Sequence, residues 1–201
     1  MSTPRPLLLT GFEPFLDVAV NPSGEVAALL DGEIWPPGVP VVGLRLPVSF
    51  ERGPATLESA LAGLPAPPLA ILSLGVHRGA SFRLERRAGA RFRSTQPDND
   101  GQVGEAVTLP GPQFREMRLN PAIADGWLEE AGAPETVIST DAGGYLCERV
   151  FRAGLDHSVS LGCLSLFLHV PPIESMGVSA QARVVRGFGQ RLVEYGDSLS
   201  P

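Results

Sequence analysis

Short apolar runs bounded by turn residues recur along the chain and predict buried strands. The first, Leu7-Leu8-Leu9-Thr10, lies between Pro6 and Gly11. A continuous run of this kind is typical of a strand buried on both faces, as in a parallel sheet. The later runs occupy residues 41–46, 69–74, 136–140 and 161–170. Residues 82–92 alternate more weakly and predict an extended pair or a hairpin, whereas residues 96–112 indicate a loop.

Segments with helical spacing alternate with these runs. Asn21-Pro22 and Asn120-Pro121 each indicate a helix start, because Asn caps a helix N-terminus and Pro fits its first turn. The predicted helices span about 22–31, 50–61, 121–131, 144–154 and 179–195. This alternation predicts one α/β domain over residues 1–201, with a mostly parallel central sheet flanked by helices on both faces.

Four segments lie where the predicted strands end. They are Thr10-Gly11-Phe12, Gly75-Val76, the turn before Cys147, and His169. Because parallel sheets bind ligands beyond the carboxyl ends of their strands, we expect these segments to meet in one crevice.

Composition narrows the class of protein. The chain has 201 residues, of which 43% are hydrophobic, as in a globular domain with a substantial core. Lys+Arg 16 against Asp+Glu 22 gives a net charge of −6, which argues against a nucleic-acid-binding protein. We recognise no secretory leader and no membrane span, and two cysteines do not make a disulfide framework. We expect a cytoplasmic protein that binds neither nucleic acid nor membrane.

A local excess of arginine opposes this acidic balance. It comprises Arg83, Arg86, Arg87, Arg91 and Arg93. One interpretation is a solvated, positively charged strand or loop. The other is an anion- or carbonyl-binding patch beside an active site, and the sequence leaves both open.

Cys147 is the strongest candidate for chemistry. It follows an apolar run and the turn Asp141-Ala142-Gly143-Gly144, a pattern that predicts a strand, a tight turn and a helix start. A thiol at a helix N-terminus lies in a positive field that favours the nucleophilic thiolate. The alternative is an inert buried cysteine, which is the role we assign to Cys163 within its apolar run.

Among the three histidines, His169 is the best candidate for a base. It ends an apolar strand at the sheet edge, so it is placed to exchange a proton with Cys147, although a core histidine is the alternative. We expect His77 near the crevice and His157 in an exposed polar loop. Glu85 is our choice to orient the imidazole, in competition with three other carboxylates. These are Asp98, Asp100 and Glu105.

Phe12 and Phe15 stand close together in a segment at a strand end. Such aromatics usually belong to the core, but two facing rings also suit a small flat ring between them. No group of His, Cys, Asp and Glu shows metal-ligand spacing, so we predict no metal and no cofactor.

Several segments together resemble pyroglutamyl peptidase I, the pyrrolidone-carboxylate peptidases of the C15 cysteine peptidase family. The matching segments are 9–15 with Asn21-Pro22-Ser23, Glu85-Arg86, 97–101, 142–147 and 167–171. The resemblance covers almost the whole chain, and the order and spacing of the segments agree.

The resemblance implies a triad of Cys147, His169 and Glu85, with the pyroglutamyl ring stacked by Phe12 and Phe15. We place Asn21 and Val76 beside them as substrate-binding residues. It also implies a peptide substrate with an N-terminal pyroglutamate, a thioester intermediate, a cytosolic location and commonly a homotetramer.

The chain departs from the family pattern at four places. The loop Gly75–Ala80 replaces a Gly-Gln-Ala-Gly-Gly-Arg type sequence, and Leu16-Asp17 replaces a glycine pair. Thr95 stands where an arginine is common, for which Arg91 or Arg93 could substitute. Glu148 follows the cysteine in place of asparagine, and would raise the pKa of the thiol if it faced it.

These departures leave two rivals open. One is a thiol hydrolase of another small acyl or cyclic amide on the same scaffold. The other is a catalytically weak homologue that binds the ring without turnover.

Overall fold

The computed structural model describes residues 3–92, 94–104 and 107–199. Within these ranges the strands are β1 (Leu7–Phe12), β2 (Ile34–Trp35), β3 (Val39–Leu46), β4 (Ala70–Val76), β5 (Phe82–Glu85), β6 (Arg87–Gly89), β7 (Arg91–Phe92), β8 (Val107–Thr108), β9 (Phe114–Glu116), β10 (Thr136–Ser139) and β11 (Leu164–Val170). The helices are α1 (Pro22–Leu30), α2 (Arg52–Gly63), α3 (Pro121–Glu130), α4 (Leu146–Leu161) and α5 (Val178–Ser198).

Seven of the described strands form a central sheet in the order β10-β5-β11-β4-β1-β3-β2. Neighbours run parallel from β3 through β1 and β4 to β11, and β10 is parallel to β5. The pairs β5–β11 and β2–β3 are antiparallel. The helices pack in two groups, α1 and α3 against α5, and α2 against α4. The prediction of an α/β fold with a mostly parallel sheet is confirmed.

The central strands are buried along their whole length. Leu7, Leu8 and Leu9 of β1 are fully inaccessible to solvent, and so are Leu166 and Leu168 of β11. Burying each such side chain contributes about 1.5–3 kcal/mol relative to exposure. This is why these strands appear in the sequence as continuous apolar runs.

Gly154 looks like a helix end in the sequence but lies inside a helix. The sequence predicts that helix 144–154 stops at Gly154, but α4 continues to Leu161 and ends before Gly162, whose φ is 61°. A Cβ on Gly154 would lie 2.8 Å from Ser165 Oγ, so this glycine lets the helix approach the sheet. His157 therefore lies in α4 and not in a loop. The strand predicted from residue 161 begins at Leu164.

Gly11 has the same role in β1. The sequence predicts that the strand ends before it, yet β1 continues through Gly11 to Phe12. A Cβ on Gly11 would lie 2.0 Å from the Ser23 carbonyl oxygen, so only glycine allows this contact with α1.

The segment 82–92 does not form a hairpin. β5 joins the central sheet, whereas β6 pairs with β9 and β7 pairs with β8. The predicted loop 96–112 accordingly contains a short strand, β8. None of the helices in the described ranges is long and apolar enough to cross a membrane.

Candidate active site

Strand register brings the predicted residues together on one face of the sheet. His169 of β11 lies opposite Gly75 of β4 on one side and Arg83 of β5 on the other. Two residues earlier on β11, Phe167 lies opposite Glu85 of β5. Because residues two apart on a strand share a face, these side chains all project to the same side. The His169–Glu85 pair is thus a diagonal neighbour pair on adjacent strands.

Cys147 reaches this face from the first turn of α4. The chain enters the helix through Gly143 and Gly144, whose φ angles of 95° and 65° are in the left-handed region. The thiol is partly exposed. A Cβ on Gly75 would lie 2.9 Å from Cys147 Sγ and 3.0 Å from His169 Cδ2. Gly75 therefore provides the space in which the thiol and the imidazole approach each other.

The imidazole is oriented by a buried carboxylate. His169 Nδ1 lies 2.9 Å from Glu85 Oε1, and Glu85 is fully buried. This contact leaves Nε2 for the side of Cys147. Burial by itself lowers the pKa of His169, but the Cys147 thiolate and then Glu85 outweigh it, and the pKa rises to about 9. The imidazole is consequently held in its protonated form at neutral pH.

The two competing aspartates serve other parts of the chain. Asp98 accepts hydrogen bonds from the backbone N–H groups of Phe50, Asp100 and Gln102. Asp100 forms an ion pair with Arg52. Glu105, the third competitor, lies outside the described residues. Glu85 is the carboxylate that contacts the imidazole.

The arginines of segment 83–93 fall into two groups, one beside the candidate site and one in contacts elsewhere on the surface. Arg83 lines the cavity beside His169, whereas Arg86 pairs with Glu116 at 3.0 Å and Arg87 lies over the Phe114 ring at 4.1 Å. Arg91 is exposed on β7. Arg93, the other substitute considered for Thr95, lies outside the described residues.

Glu148 binds backbone groups. Its Oε1 accepts a hydrogen bond from Gly89 N at 2.5 Å, and its Oε2 accepts one from Gly144 N at 3.1 Å. The side chain ties the glycine turn to β6 and carries a negative charge in the first turn of α4, where the helix dipole favours it. The sequence departure at this position thus has a structural role in the turn.

A small recess, which we call the inner recess, lies beside Cys147. Its volume is about 20 Å³, and it is lined by Phe12, Phe15, Asn21, Val48, Val76, Tyr145, Leu146 and Cys147. All four residues that we predicted to bind substrate are in this set. Phe12 is buried, while Phe15 is partly exposed. The Asn21 side chain accepts hydrogen bonds from Ser23 N and Oγ and so caps α1 while forming part of the wall.

Tyr145 is a further residue beside the thiol that the sequence patterns did not single out. Its ring lies 6.2 Å from Phe15 and 5.3 Å from Phe50, and its hydroxyl donates to the Pro97 carbonyl at 2.9 Å. Burial raises the pKa of Tyr145 to about 12, so the phenol stays neutral. The signal was its place immediately before the helix that carries the cysteine.

A larger cavity of about 730 Å³, which we call the outer cavity, opens on the other side of the thiol. It shares Phe15, Val76, Tyr145 and Cys147 with the inner recess, so the two spaces join at the thiol. Its remaining wall comprises residues 16–20, Pro22, His77, Arg78, Arg83, Gln96, residues 141–143, His169 and residues 172–174.

His77 is part of this wall, as the sequence predicted. Its Nδ1 accepts a hydrogen bond from Gly79 N, and its Nε2 lies 2.6 Å from the Ser81 carbonyl oxygen. This arrangement fixes the neutral tautomer that carries its proton on Nε2. Burial also lowers the pKa of His77.

Thr95 is exposed, and its neighbour Gln96 reaches the cavity. No group of three or more potential metal ligands occurs among residues 3–92, 94–104 and 107–199.

Comparison with known proteins identifies the class. Residues 5–185 match the sequence model of the family described as pyroglutamyl peptidase. A pyrrolidone-carboxylate peptidase from Pyrococcus furiosus is 35% identical over 174 residues, covering 83% of this chain and 81% of the relative. One from Gloeobacter violaceus is 34% identical over 178 residues, covering 86% and 84%.

Solved structures agree with the sequence matches. The pyrrolidone carboxyl peptidase of Pyrococcus furiosus superposes with a TM-score of 0.86 at 30% identity, covering 94% of this chain and 99% of that one. That of Thermococcus litoralis gives a TM-score of 0.88 at 27% identity, covering 96% of each chain.

The fold and these matches place the protein among the α/β peptidases. The chain belongs to the pyroglutamyl peptidase family.

Proposed function

We propose that this protein hydrolyses the amide bond that follows an N-terminal pyroglutamyl residue, with Cys147 as the nucleophile. One observation carries the proposal: the buried Glu85–His169 pair meets a partly exposed thiol at a helix N-terminus, at the junction of two cavities. Membership of the pyroglutamyl peptidase family supports the substrate class.

The chemistry follows from the protonation state of the pair. His169 Nε2 holds the proton of Cys147, and the thiolate attacks the pyroglutamyl carbonyl carbon. As the tetrahedral intermediate collapses, the imidazolium gives this proton to the leaving amine, and a thioester remains on Sγ. The neutral imidazole then takes a proton from water, which attacks the thioester and releases pyroglutamate and the free thiol. Glu85 keeps Nδ1 protonated and the ring in place through both steps.

The two cavities suggest how the substrate lies. The inner recess takes the lactam ring against Phe12 and Phe15, and the outer cavity takes the rest of the peptide. The scissile carbonyl then falls at Cys147, where the spaces join. At about 20 Å³ the inner recess is smaller than a five-membered ring, so binding requires a shift of the partly exposed Phe15 side chain.

The start of α4 supplies the stabilisation of the oxyanion in this proposal. The first N–H groups of a helix have no intrahelical partner, and Cys147 is the second residue of α4. In this proposal they donate to the oxygen on which negative charge develops. Loss of one such donor commonly lowers kcat by about 10²–10³-fold. This source does not require an arginine at position 95.

A second candidate is a thiol hydrolase that acts on another small acyl group or cyclic amide. The outer cavity favours it, because His77 and Arg78 come from the loop in which the sequence departs from the family pattern. The remaining alternative is a homologue that binds the ring with weak turnover. For the assembly and its location we propose a homo-oligomer in the cytoplasm, by analogy with the family.

The test is release of a chromogenic amine from a pyroglutamyl amide, with the matching prolyl amide as control substrate. The prolyl group has the same five-membered ring but lacks the lactam carbonyl. We expect wild-type protein to cleave the first amide selectively and Cys147→Ala to cleave neither. Equal cleavage of both would favour the broader hydrolase, and ligand-induced stabilisation without release would favour the binding protein.

A further inference from the structure

Arg83 occupies a position that the proposed reaction does not use. It lies directly opposite His169 across the β5–β11 pair and two residues before Glu85 on the same face of the sheet. Its side chain is 35% exposed and forms part of the outer cavity wall with Cys147 and His169. A guanidinium group therefore stands beside the imidazole, at the edge of the space where the substrate would lie.

Arg83 shares an acceptor with the imidazole. Its Nε lies 3.0 Å from Glu85 Oε1, the same oxygen that His169 Nδ1 contacts at 2.9 Å. Within the described residues, the buried Glu85 Oε2 has no hydrogen-bond partner, and neither has Arg83 Nε. The arginine contact with Glu85 is thus an ion pair. The orientation of the carboxylate depends on His169 and Arg83 alone among the contacts that the structure records.

The Nη2 end of the Arg83 guanidinium binds the segment that precedes Cys147. Arg83 Nη2 donates to Ser139 Oγ at 2.7 Å and to the Asp141 carbonyl at 2.8 Å. Asp141 begins the turn that leads through Gly143 and Gly144 to Cys147. One side chain consequently connects the carboxylate that orients the base with the loop that carries the thiol.

We propose that Arg83 is a positioning residue of this site, which fixes Glu85 against His169 and anchors the turn before Cys147. The proposal rests on the proposed function for its kinetic readout but not for its structural one. It gives the arginine-rich segment a specific role through one member, while its neighbours Arg86 and Arg87 serve other contacts.

The charge of Arg83 has a predictable sign. The titratable groups that face His169 are Glu85 and Arg83 from β5, Cys147 from α4, and His77 from the segment after β4. The positive charge of Arg83 disfavours the protonated form of the neighbouring His169. Arg83 also competes with His169 for the Glu85 carboxylate. Removing the charge therefore raises the pKa of His169, whereas replacing one cation by another leaves it nearly unchanged.

The experiment compares Arg83→Gln, Arg83→Lys and a matched control, Arg87→Gln. Arg87 donates from Nε to the Thr140 carbonyl, one residue before Asp141, but its recorded contacts do not include Glu85. The readouts are the pH profile of kcat/KM for the pyroglutamyl amide and NMR titration of the His169 ring in substrate-free protein. Circular dichroism checks the fold of each variant.

For Arg83→Gln we expect the His169 titration and the alkaline limb to move up by about half to one pH unit, with kcat lower by about tenfold and KM little changed. Arg83→Lys should leave the pKa of His169 unchanged but lower kcat, because lysine cannot reproduce the two hydrogen bonds of the guanidinium to Ser139 and Asp141. Arg87→Gln should match wild type in both readouts.

An unmoved His169 titration in folded Arg83→Gln, or a rise in KM with kcat unchanged, would overturn the proposal. If Arg83→Gln does not fold, loss of kcat in Arg83→Lys with its titration retained still supports positioning, and wild-type kcat in Arg83→Lys refutes it. If no variant and no wild-type protein cleaves the amide, the proposed function fails, yet the titrations of the two glutamine variants still decide the role of Arg83.

Discussion

The two cysteines lie at opposite ends of one helix and differ in almost every property that matters for reactivity. Cys147 is the second residue of α4, is partly exposed and lies between two cavities. Cys163 follows the helix after Gly162, is 2% exposed, and burial raises its pKa to about 11. At neutral pH only about one in 10⁴ of such thiols is ionised.

The difference shows what a helix end contributes. The N-terminal end of α4 carries free N–H groups and a positive partial charge, whereas its C-terminal end presents carbonyl groups and a negative one. Cys147 has in addition a histidine with an oriented ring, whereas burial raises the pKa of the Cys163 thiol despite the nearby guanidinium groups of Arg118 and Arg5. Reactivity is therefore a property of the local environment, and the following predictions test it.

Replacement of each thiol should give the largest contrast. We expect Cys147→Ala to lower kcat/KM for a pyroglutamyl amide by at least about 10³-fold, because no other group can form the acyl intermediate. Cys163→Ala removes a buried sulfur that lines neither cavity and should leave kcat/KM within about twofold. Steady-state kinetics measures both, and comparable losses in the two variants would refute the contrast.

Loss of the orienting carboxylate should have the next largest effect. In Glu85→Gln the fully buried amide no longer fixes the Nδ1-protonated ring, so we expect kcat to fall by about 10²–10⁴-fold with little change in KM. Asp98→Asn is the matched control, since Asp98 is also a buried carboxylate but binds backbone N–H groups. A kcat near the wild-type value in Glu85→Gln would contradict the assignment.

Alkylation should separate the two thiols without any substrate. At neutral pH we expect iodoacetamide to modify Cys147 at least about 10²-fold faster than Cys163, because both burial and the raised pKa protect the latter. Mass mapping of the two cysteine-containing peptides over time gives the rates. Equal rates in the folded protein would show that the helix ends do not differ as described.

A methyl group at position 75 should disturb Cys147 at the N-terminal end of α4 and leave Cys163 unaffected. In Gly75→Ala the new Cβ would lie 2.9 Å from Cys147 Sγ and 3.0 Å from His169 Cδ2, so the pair must separate. We expect kcat to fall by about 10–100-fold, since small misplacements of reacting groups are costly. Gly63→Ala, where nothing lies within 4 Å of the added Cβ, should retain wild-type activity.

The pH dependence should show the smallest but most specific effect. The leaving amine needs a protonated His169, whose pKa is raised to about 9, so kcat/KM should hold up to that pH and fall above it. In Cys147→Ala the thiolate that raises this pKa is gone, and NMR titration should give a lower value. An unchanged titration would show that the two groups do not interact.

Much of the fold could be predicted because burial leaves a direct trace in sequence. The apolar runs predicted the central strands, and Asn21-Pro22 and Asn120-Pro121 marked the starts of α1 and α3 correctly. Glycine was the main source of error. Gly11 and Gly154 look like breaks, but they allow close packing between elements, a tertiary property that local sequence does not encode.

The candidate site was predictable to the extent that its residues lie at strand and helix ends. Cys147 and His169 do, and the structure places them beside the same glycine. Glu85 was chosen on weak local grounds, and its contact with His169 depends on the antiparallel β5–β11 pair, which periodicity does not reveal. Tyr145 was missed, and Arg83 was named only as one of five arginines in its segment, because strand register and loop packing decide which side chains meet.

The mechanism that we propose requires Cys147 to carry the acyl group. The most direct test mixes the protein with excess pyroglutamyl amide, stops the reaction with acid within the first turnovers, and maps the cysteine-containing peptides by mass. We expect one pyroglutamyl group in thioester linkage on the Cys147 peptide, lost on further incubation and absent in Cys147→Ala. A pyroglutamyl group on Cys163, or undiminished turnover by Cys147→Ala, would contradict it.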